Sequence, residues 1–207
     1  MNTKRTLALA SGRGSNFQAV VRAIANGELT RCEFVGLIVD RPKTGAADFA
    51  SAHGIPVFEL DYKSYANRSD YDRKFAGVVG EIQPDLILAV GYMRILNPDF
   101  VREHSGRIIN IHPALLPAFP GMHAQKQAFE YGVRVTGATV HFIDEGVDTG
   151  PIIEQAPVRV PNNCTLSELS ALILEQEHRI IVRAVADFCE DRLRIQGRRV
   201  VRQAVDR

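Results

Sequence analysis

Cysteine is scarce in this chain of 207 residues: only Cys32, Cys164 and Cys189, far apart and odd in number. Such a set excludes a disulfide framework and fits a reducing compartment. Charge of one sign is also lacking. With 25 Lys and Arg against 24 Asp and Glu, the net charge is +1, so neither nucleic acid nor an acidic membrane is an expected partner. Long apolar runs are missing. The basic start MNTKRTLALASGRG holds an apolar stretch of about five residues, short of the roughly 7–15 of a signal peptide. Nothing approaches the roughly 20 apolar residues of a membrane span, and the expected location is the cytoplasm.

Several catalytic signatures are absent too. No Gly-Lys-Ser/Thr follows the first glycines, which excludes a P-loop. His104, His112, His123 and His141 have no H-x-x-x-H or C-x-x-C spacing, so no metal site is expected. No G-x-S-x-G elbow accompanies a Ser-His-Asp order.

What is present alternates. TLALA (6–10), EFVGLIV (33–39), IPVFEL (55–60), DLILAVG (85–91) and GRIIN (106–110) are apolar, strand-like runs. Between them lie helical patterns over 17–27, 44–54 and 68–82, with another at 122–132. Strands apolar on both faces and alternating with helices predict a Rossmann-like α/β fold: a mostly parallel twisted sheet with helices on both faces. VTGATVHFID (135–144) and PIIEQAPVRV (151–160) then form a predicted antiparallel pair around the loop EGVDTG. Residues 165–190 read as a long amphipathic helix, with Thr165 and Glu168 as a capping box. The expected organisation is a single domain over 1–207. It has a phosphate-binding half to about 105, a catalytic half to about 190, and a short basic tail expected to be solvated.

SGRGSN (11–16) joins the first strand to the first helix. Two glycines allow close backbone approach, Ser15 and Asn16 are good N-cap types, and a helix start with free N–H groups attracts a phosphate. For the glycine spacing alone, a plain, tight turn with a capped helix is the favoured reading. Phe17 stands where a dinucleotide fingerprint needs its third glycine, yet Asp40 ends the second strand where a ribose would be held, so NAD binding stays open.

Ligands of open α/β sheets sit beyond the carboxyl ends of strands. The glycine loop, GYMRIL (91–96), Asn110 and His112 all fall there. Asn110 and His112 are two apart, so an extended backbone turns both to one face. An amide and an imidazole together can hydrogen-bond a carbonyl oxygen and move a proton. Prolines at 113, 117 and 120 stiffen the exit from that strand, which suits fixed placement of the pair. Asp148, by itself, reads as a solvated loop residue, like Asp144 and Glu145.

SGRGSNFQA, MRILNP, NIHPALLPAFPG and TGATVHFIDEGVDTGPIIEQ together resemble the folate-dependent formyltransferases, over about residues 6–190. The resemblance implies 10-formyltetrahydrofolate as co-substrate and no metal. Glycinamide ribonucleotide is the implied acceptor, and the length leaves no room for a tRNA-binding or regulatory domain. A formyltetrahydrofolate hydrolase or another amine formyltransferase is the alternative. By position, it implies that Gly14, Ser15 and Asn16 hold the ribose phosphate and Glu177 the glycinamide end. Arg68 would contact the folate. Met93, Arg94, Ile95 and Leu96 would line the pterin pocket, with Asp144, Glu145, Gly146, Val147 and Asp148 as the loop over it. Asn110, His112 and Asp148 would be the catalytic trio. Arg13 and Ala114 depart from Asn and Ser, the usual family residues. The expected oligomeric state is monomer or homodimer.

Overall fold

The structure, a computed structural model, describes residues 2–203. The strands form one nine-stranded sheet of order β3-β2-β1-β4-β5-β6-β7-β9-β8. The chain divides into two compact units, Met1–Ile109 and Asn110–Arg207, and the division falls within β5 (Ile108–His112).

In the first unit, β1 (Lys4–Ala10), β2 (Cys32–Val39), β3 (Val57–Glu59) and β4 (Leu86–Ala89) carry the first apolar runs. β1 pairs parallel with β2 and β4, and β2 parallel with β3. Leu7, Leu9, Leu37, Ile38 and Leu86 to Leu88 are wholly buried, the signature of strands covered on both faces. The helices follow their apolar spacing and caps. α1 (Ser15–Ala25) buries Phe17, Val20 and Val21. α2 (Gly45–Ala52) is capped by the Thr44 hydroxyl, which accepts from Ala47 N–H. Asn67 caps α3 (Arg68–Ile82) in the same way through Asp70 N–H. A short helix absent from the sequence reading, α4 (Pro98–Glu103), starts on an Asn97 cap with Pro98 in its first turn.

In the second unit, α5 (Ala124–Tyr131) ends at Gly132 in the left-handed conformation. β6 (Val135–Phe142) and β7 (Ile152–Arg159) pair antiparallel, as the sequence predicts. α6 (Leu166–Cys189) opens on the expected capping box: Glu168 N–H donates to the Thr165 hydroxyl, and Thr165 N–H to the Glu168 carboxylate. The basic tail is exposed, as expected, but it is folded. β8 (Leu193–Gln196) and β9 (Arg199–Arg202) form a hairpin whose second strand meets β7. Arg202 reaches Glu154 at 2.6 Å and Asp187 at 2.7 Å, and Arg192 reaches Asp187 at 2.7 Å. These carboxylates lie on β7 and α6, so ion pairs pin a hairpin whose residues stay mostly solvent-exposed. Among the described residues, no helix is long and apolar enough to cross a membrane.

Candidate active site

The glycine loop of the first unit is built differently from the sequence expectation. Neither Ser15 nor Asn16 caps α1. Gly14 is the N-cap, in the left-handed region with φ 67°, and no side chain caps the first turn. A Cβ on Gly14 would stand 2.7 Å from the Ala46 Cβ, so glycine is required there twice, by conformation and by space. A helix start left without a side-chain cap keeps its N–H groups for a ligand.

Asp40 also corrects an expectation. It is fully buried, and Arg94 and Arg41 occupy its carboxylate at 2.7 and 3.1 Å. It has no oxygen to offer a ribose. Arg94, expected to line a pterin pocket, has its guanidinium on Asp40 and 4.0 Å from the Tyr62 ring centroid. Its neighbours Met93 and Ile95 are 56% and 65% exposed, and Leu96 is half-buried. Arg68 donates to the Ile95 carbonyl at 2.9 Å. Both residues line an open groove of about 750 Å³ beside Asp72, Asn97 and Phe100.

In the second unit, β5 runs two residues past the expected end at Asn110, so His112 belongs to the strand with it. His112 is buried, and its ring is held from both sides. Nε2 lies 2.7 Å from the Phe119 carbonyl and Nδ1 3.2 Å from Asp148 Oδ2. Both partners only accept, so a ring carrying two protons satisfies both contacts. Asp148 is far from the solvated residue that its loop position suggested: its side chain is 12% exposed. Oδ2 also accepts from Gly121 N–H at 2.7 Å.

The prolines of 113–120 find their reason here. The segment they stiffen supplies main-chain groups to the pair: the Phe119 carbonyl to His112 and the Gly121 amide to Asp148. Phe119 has φ 54°, and Asp148 itself φ 56°, a conformation that non-glycine residues seldom adopt. The segment is tied to β6 and β7. Leu116 N–H donates to the Thr139 hydroxyl at 3.0 Å, which donates to the Ala114 carbonyl at 2.7 Å. Gln155 donates to the Leu116 carbonyl at 2.9 Å.

His141, which the sequence reading weighed only as a metal ligand, completes the group. It is 1% exposed on β6. Burial pushes its pKa down, and the Phe142 carbonyl and Asp148 only partly offset this. Its Nδ1 lies 2.8 Å from the Phe142 carbonyl, so the single proton sits on Nδ1. Nε2 is then an acceptor, and Asn110 Nδ2 donates to it at 3.1 Å. The 3.7 Å between His141 Nε2 and Asp148 Oδ1 is therefore not an ion pair. Spacing could have pointed to His141, since alternation on β6 puts it on the same face as Thr139.

The 144–150 loop is ordered by its own groups. Asp144 accepts from the Thr149 hydroxyl at 2.6 Å and from Gly146 N–H at 3.1 Å. Glu145, Gly146 and Val147 are exposed at its tip. A Cβ on Gly150 would stand 1.8 Å from the Phe142 carbonyl, so only glycine lets the loop return close to β6. Glu177 is buried on α6 at 6% exposure. The residues expected to hold phosphate and folate, Gly14 to Asn16, Arg68 and Met93 to Leu96, lie in the first unit. Asn110, His112, Asp144 to Asp148 and Glu177 lie in the second.

A family model described as formyl transferase matches residues 4–185. The chain is 40% identical over 194 residues to a phosphoribosylglycinamide formyltransferase of Mycobacterium tuberculosis (strain CDC 1551 / Oshkosh), covering 94% of this chain and 89% of that one. It superposes on the crystal structure of glycinamide ribonucleotide transformylase 1 from Symbiobacterium toebii with a TM-score of 0.93 at 40% identity, covering 98% and 95% of the two chains. A formyltetrahydrofolate deformylase from Pseudomonas syringae pv. tomato aligns with a TM-score of 0.90 at 28% identity, over 98% of this chain and 67% of that one. The chain spans 14% of the trifunctional purine biosynthetic protein adenosine-3 of Drosophila melanogaster, to which it is 41% identical over 184 residues. With the match running across both units and through the Asn110, His112 and Asp148 positions, the chain belongs to the formyl transferase family.

Proposed function

We propose that this chain transfers the formyl group of 10-formyltetrahydrofolate to the amine of 5'-phosphoribosylglycinamide, the phosphoribosylglycinamide formyltransferase reaction of purine biosynthesis. The observation that carries the proposal is the contact of 3.2 Å between the His112 ring and the Asp148 carboxylate, buried within a member of the formyl transferase family.

The reaction needs three things from the chain. It must hold an amine against a formyl carbon, stabilise the charge that builds on the formyl oxygen, and bring a proton to the departing folate nitrogen. Gly14, Ser15 and Asn16 hold the substrate's phosphate at the uncapped start of α1. Glu177 takes the glycinamide end. Arg68, Met93 to Leu96 and the 144–148 loop hold the folate. Asn110 gives one amide hydrogen to His141 and keeps the other for the oxyanion. His112, protonated beside Asp148, turns its Nε2–H from the Phe119 carbonyl to the same oxygen when the formyl group arrives, and each donor is worth about 2.7–4 kcal/mol in a water-poor site. As the tetrahedral intermediate collapses, the imidazolium supplies a proton for the leaving nitrogen, the proton shed by the attacking amine restores the ring, and Asp148 stabilises its charged form. In this reading the first unit is the phosphate-binding half and the second the transfer half.

A hydrolase reading has its own support in the likeness to the deformylase. Water would then take the amine's place in the same pocket. Incubation with 10-formyltetrahydrofolate, with and without glycinamide ribonucleotide, separates the two. Loss of the formyl group only when the ribonucleotide is present is the expected result. Equal loss without it makes the chain a hydrolase.

A further inference from the structure

One charged group of the first unit has no part in the transfer chemistry, yet it is built in with unusual care. Asp40 follows β2 and is 0% exposed. Burial by itself pushes its carboxyl up. Hydrogen bonds from Arg41, Ser11 and Arg94 outweigh burial and hold it below its ordinary value, as a carboxylate. Arg41 reaches it from a half-exposed position and donates to both oxygens, at 3.1 and 3.3 Å.

The other two partners lead to the 91–96 loop. Arg94 Nε donates directly to Asp40 Oδ2 at 2.7 Å. Ser11 Oγ accepts from Met93 N–H at 2.8 Å, which leaves the hydroxyl proton for Asp40. The carboxylate thus grips two consecutive loop residues, one through Ser11 and one directly. The Tyr62 ring packs under the Arg94 guanidinium, which closes the clamp. Other anchors act on either side. Ser11 N–H donates to the Gly91 carbonyl at 3.0 Å, the Tyr92 hydroxyl meets the Tyr71 hydroxyl, and Arg68 donates to the Ile95 carbonyl. Every residue from Gly91 to Ile95 is therefore tied at a polar atom, while the apolar side chains of Met93 and Ile95 stay exposed.

We propose that Asp40 is a positioning residue for folate binding: through Ser11 and Arg94 it fixes the main chain of Met93 to Leu96, so that the loop offers a preformed edge to the pterin. The proposal rests on the reading of this loop as the folate contact. An ordered loop loses little freedom when ligand binds, which raises affinity without adding a contact. The Arg94 side chain serves this purpose from behind the loop and does not itself hold the ligand. A buried ion pair by itself adds little net stability, so stability alone is a poor account of this arrangement.

Steady-state kinetics and calorimetric titration with tetrahydrofolate test the proposal on the full chain. Asp40→Val raises KM for 10-formyltetrahydrofolate about tenfold or more, with kcat within about threefold, and weakens tetrahydrofolate binding to match. Asp40→Asn keeps an acceptor for Arg94 and recovers most of that loss. Arg94→Met gives a similar KM effect, and adding Asp40→Val to it changes KM little further, since both cut one connection. Should Asp40→Val fail to fold, Arg94→Met and Asp40→Asn carry the test. A lowered melting temperature with KM for the folate unmoved makes Asp40 purely structural and overturns the inference. If the wild-type chain binds no tetrahydrofolate, the folate reading and the inference fall together. If it binds and the variants bind equally well, only the inference falls.

Discussion

Asn110 and His141 are joined by one hydrogen bond of 3.1 Å, and the far side of the imidazole fixes its direction. The Phe142 carbonyl claims the proton on Nδ1, so Nε2 can only accept and the Asn110 amide must turn its nitrogen toward it. The orientation of the amide therefore rests on a histidine that need not touch substrate.

Replacing His141 by Leu frees the amide to rotate and removes its partner. The expected result is a fall in kcat of about 10- to 100-fold, with both KM values nearly unchanged, because the orientation matters most when charge develops. His141→Gln, which can present an accepting oxygen, recovers part of the loss. Unchanged turnover in His141→Leu would show that Asn110 holds its orientation without this bond.

His112→Ala and Asp148→Asn remove the proton donor and its counter-charge. Each is expected to lower formyl transfer by about 10²- to 10⁴-fold, while thermal unfolding stays close to wild type. Asp148→Asn is the sharper probe. Its amide oxygen can still accept from Gly121 N–H, so the loop is held while the charge is gone. A variant with near-normal kcat contradicts the roles proposed for the pair.

The same His141 gives the fold a pH dependence. Its folded pKa lies below the ordinary 6.5 because of burial. As pH falls through about 6.5, the unfolded chain takes up a proton that folded His141 refuses, so stability declines toward acid. Asp40 acts elsewhere. Its carboxyl is held below the ordinary 3.8, and that stabilisation is lost only under more acid conditions. Urea unfolding between pH 7 and pH 5 should show a smaller loss in His141→Gln than in the wild-type chain. Equal losses in both would remove His141 as a source of the dependence.

Gly12 and Gly14 read alike in the sequence, but they should respond differently to alanine. Nothing lies within 4 Å of a Cβ on Gly12, whereas Gly14 has a left-handed φ and the Ala46 side chain in the way. Gly14→Ala should cost about 2–4 kcal/mol of stability, from the conformation and the crowding together. Gly12→Ala should cost less than about 1 kcal/mol. Denaturant midpoints decide, and equal shifts would contradict the geometry.

The elements that packing and local chemistry dictate were legible in the sequence. Unbroken apolar runs such as TLALA and DLILAVG marked buried parallel strands, and Thr165 with Glu168 marked the start of α6. Both signals are local, because burial on two faces and capping are written in neighbouring residues. The β8–β9 hairpin was not legible, since Arg192 and Arg202 look like surface charges until Glu154 and Asp187 come to meet them. Asn110 and His112 could be found from a spacing of two. Asp148 followed from resemblance alone, for no local pattern reaches from residue 112 to residue 148. Asp40 looked like a ribose ligand, and His141, without metal-ligand spacing, offered no local sign of a role. Sequence by itself determined the alternation of strands and helices and the chemical types available at strand ends. The tertiary structure decided which carboxylate meets which imidazole, which nitrogen carries a proton, and which glycine is indispensable. Those depend on contacts between residues distant in the chain, and on burial that changes what each group can do.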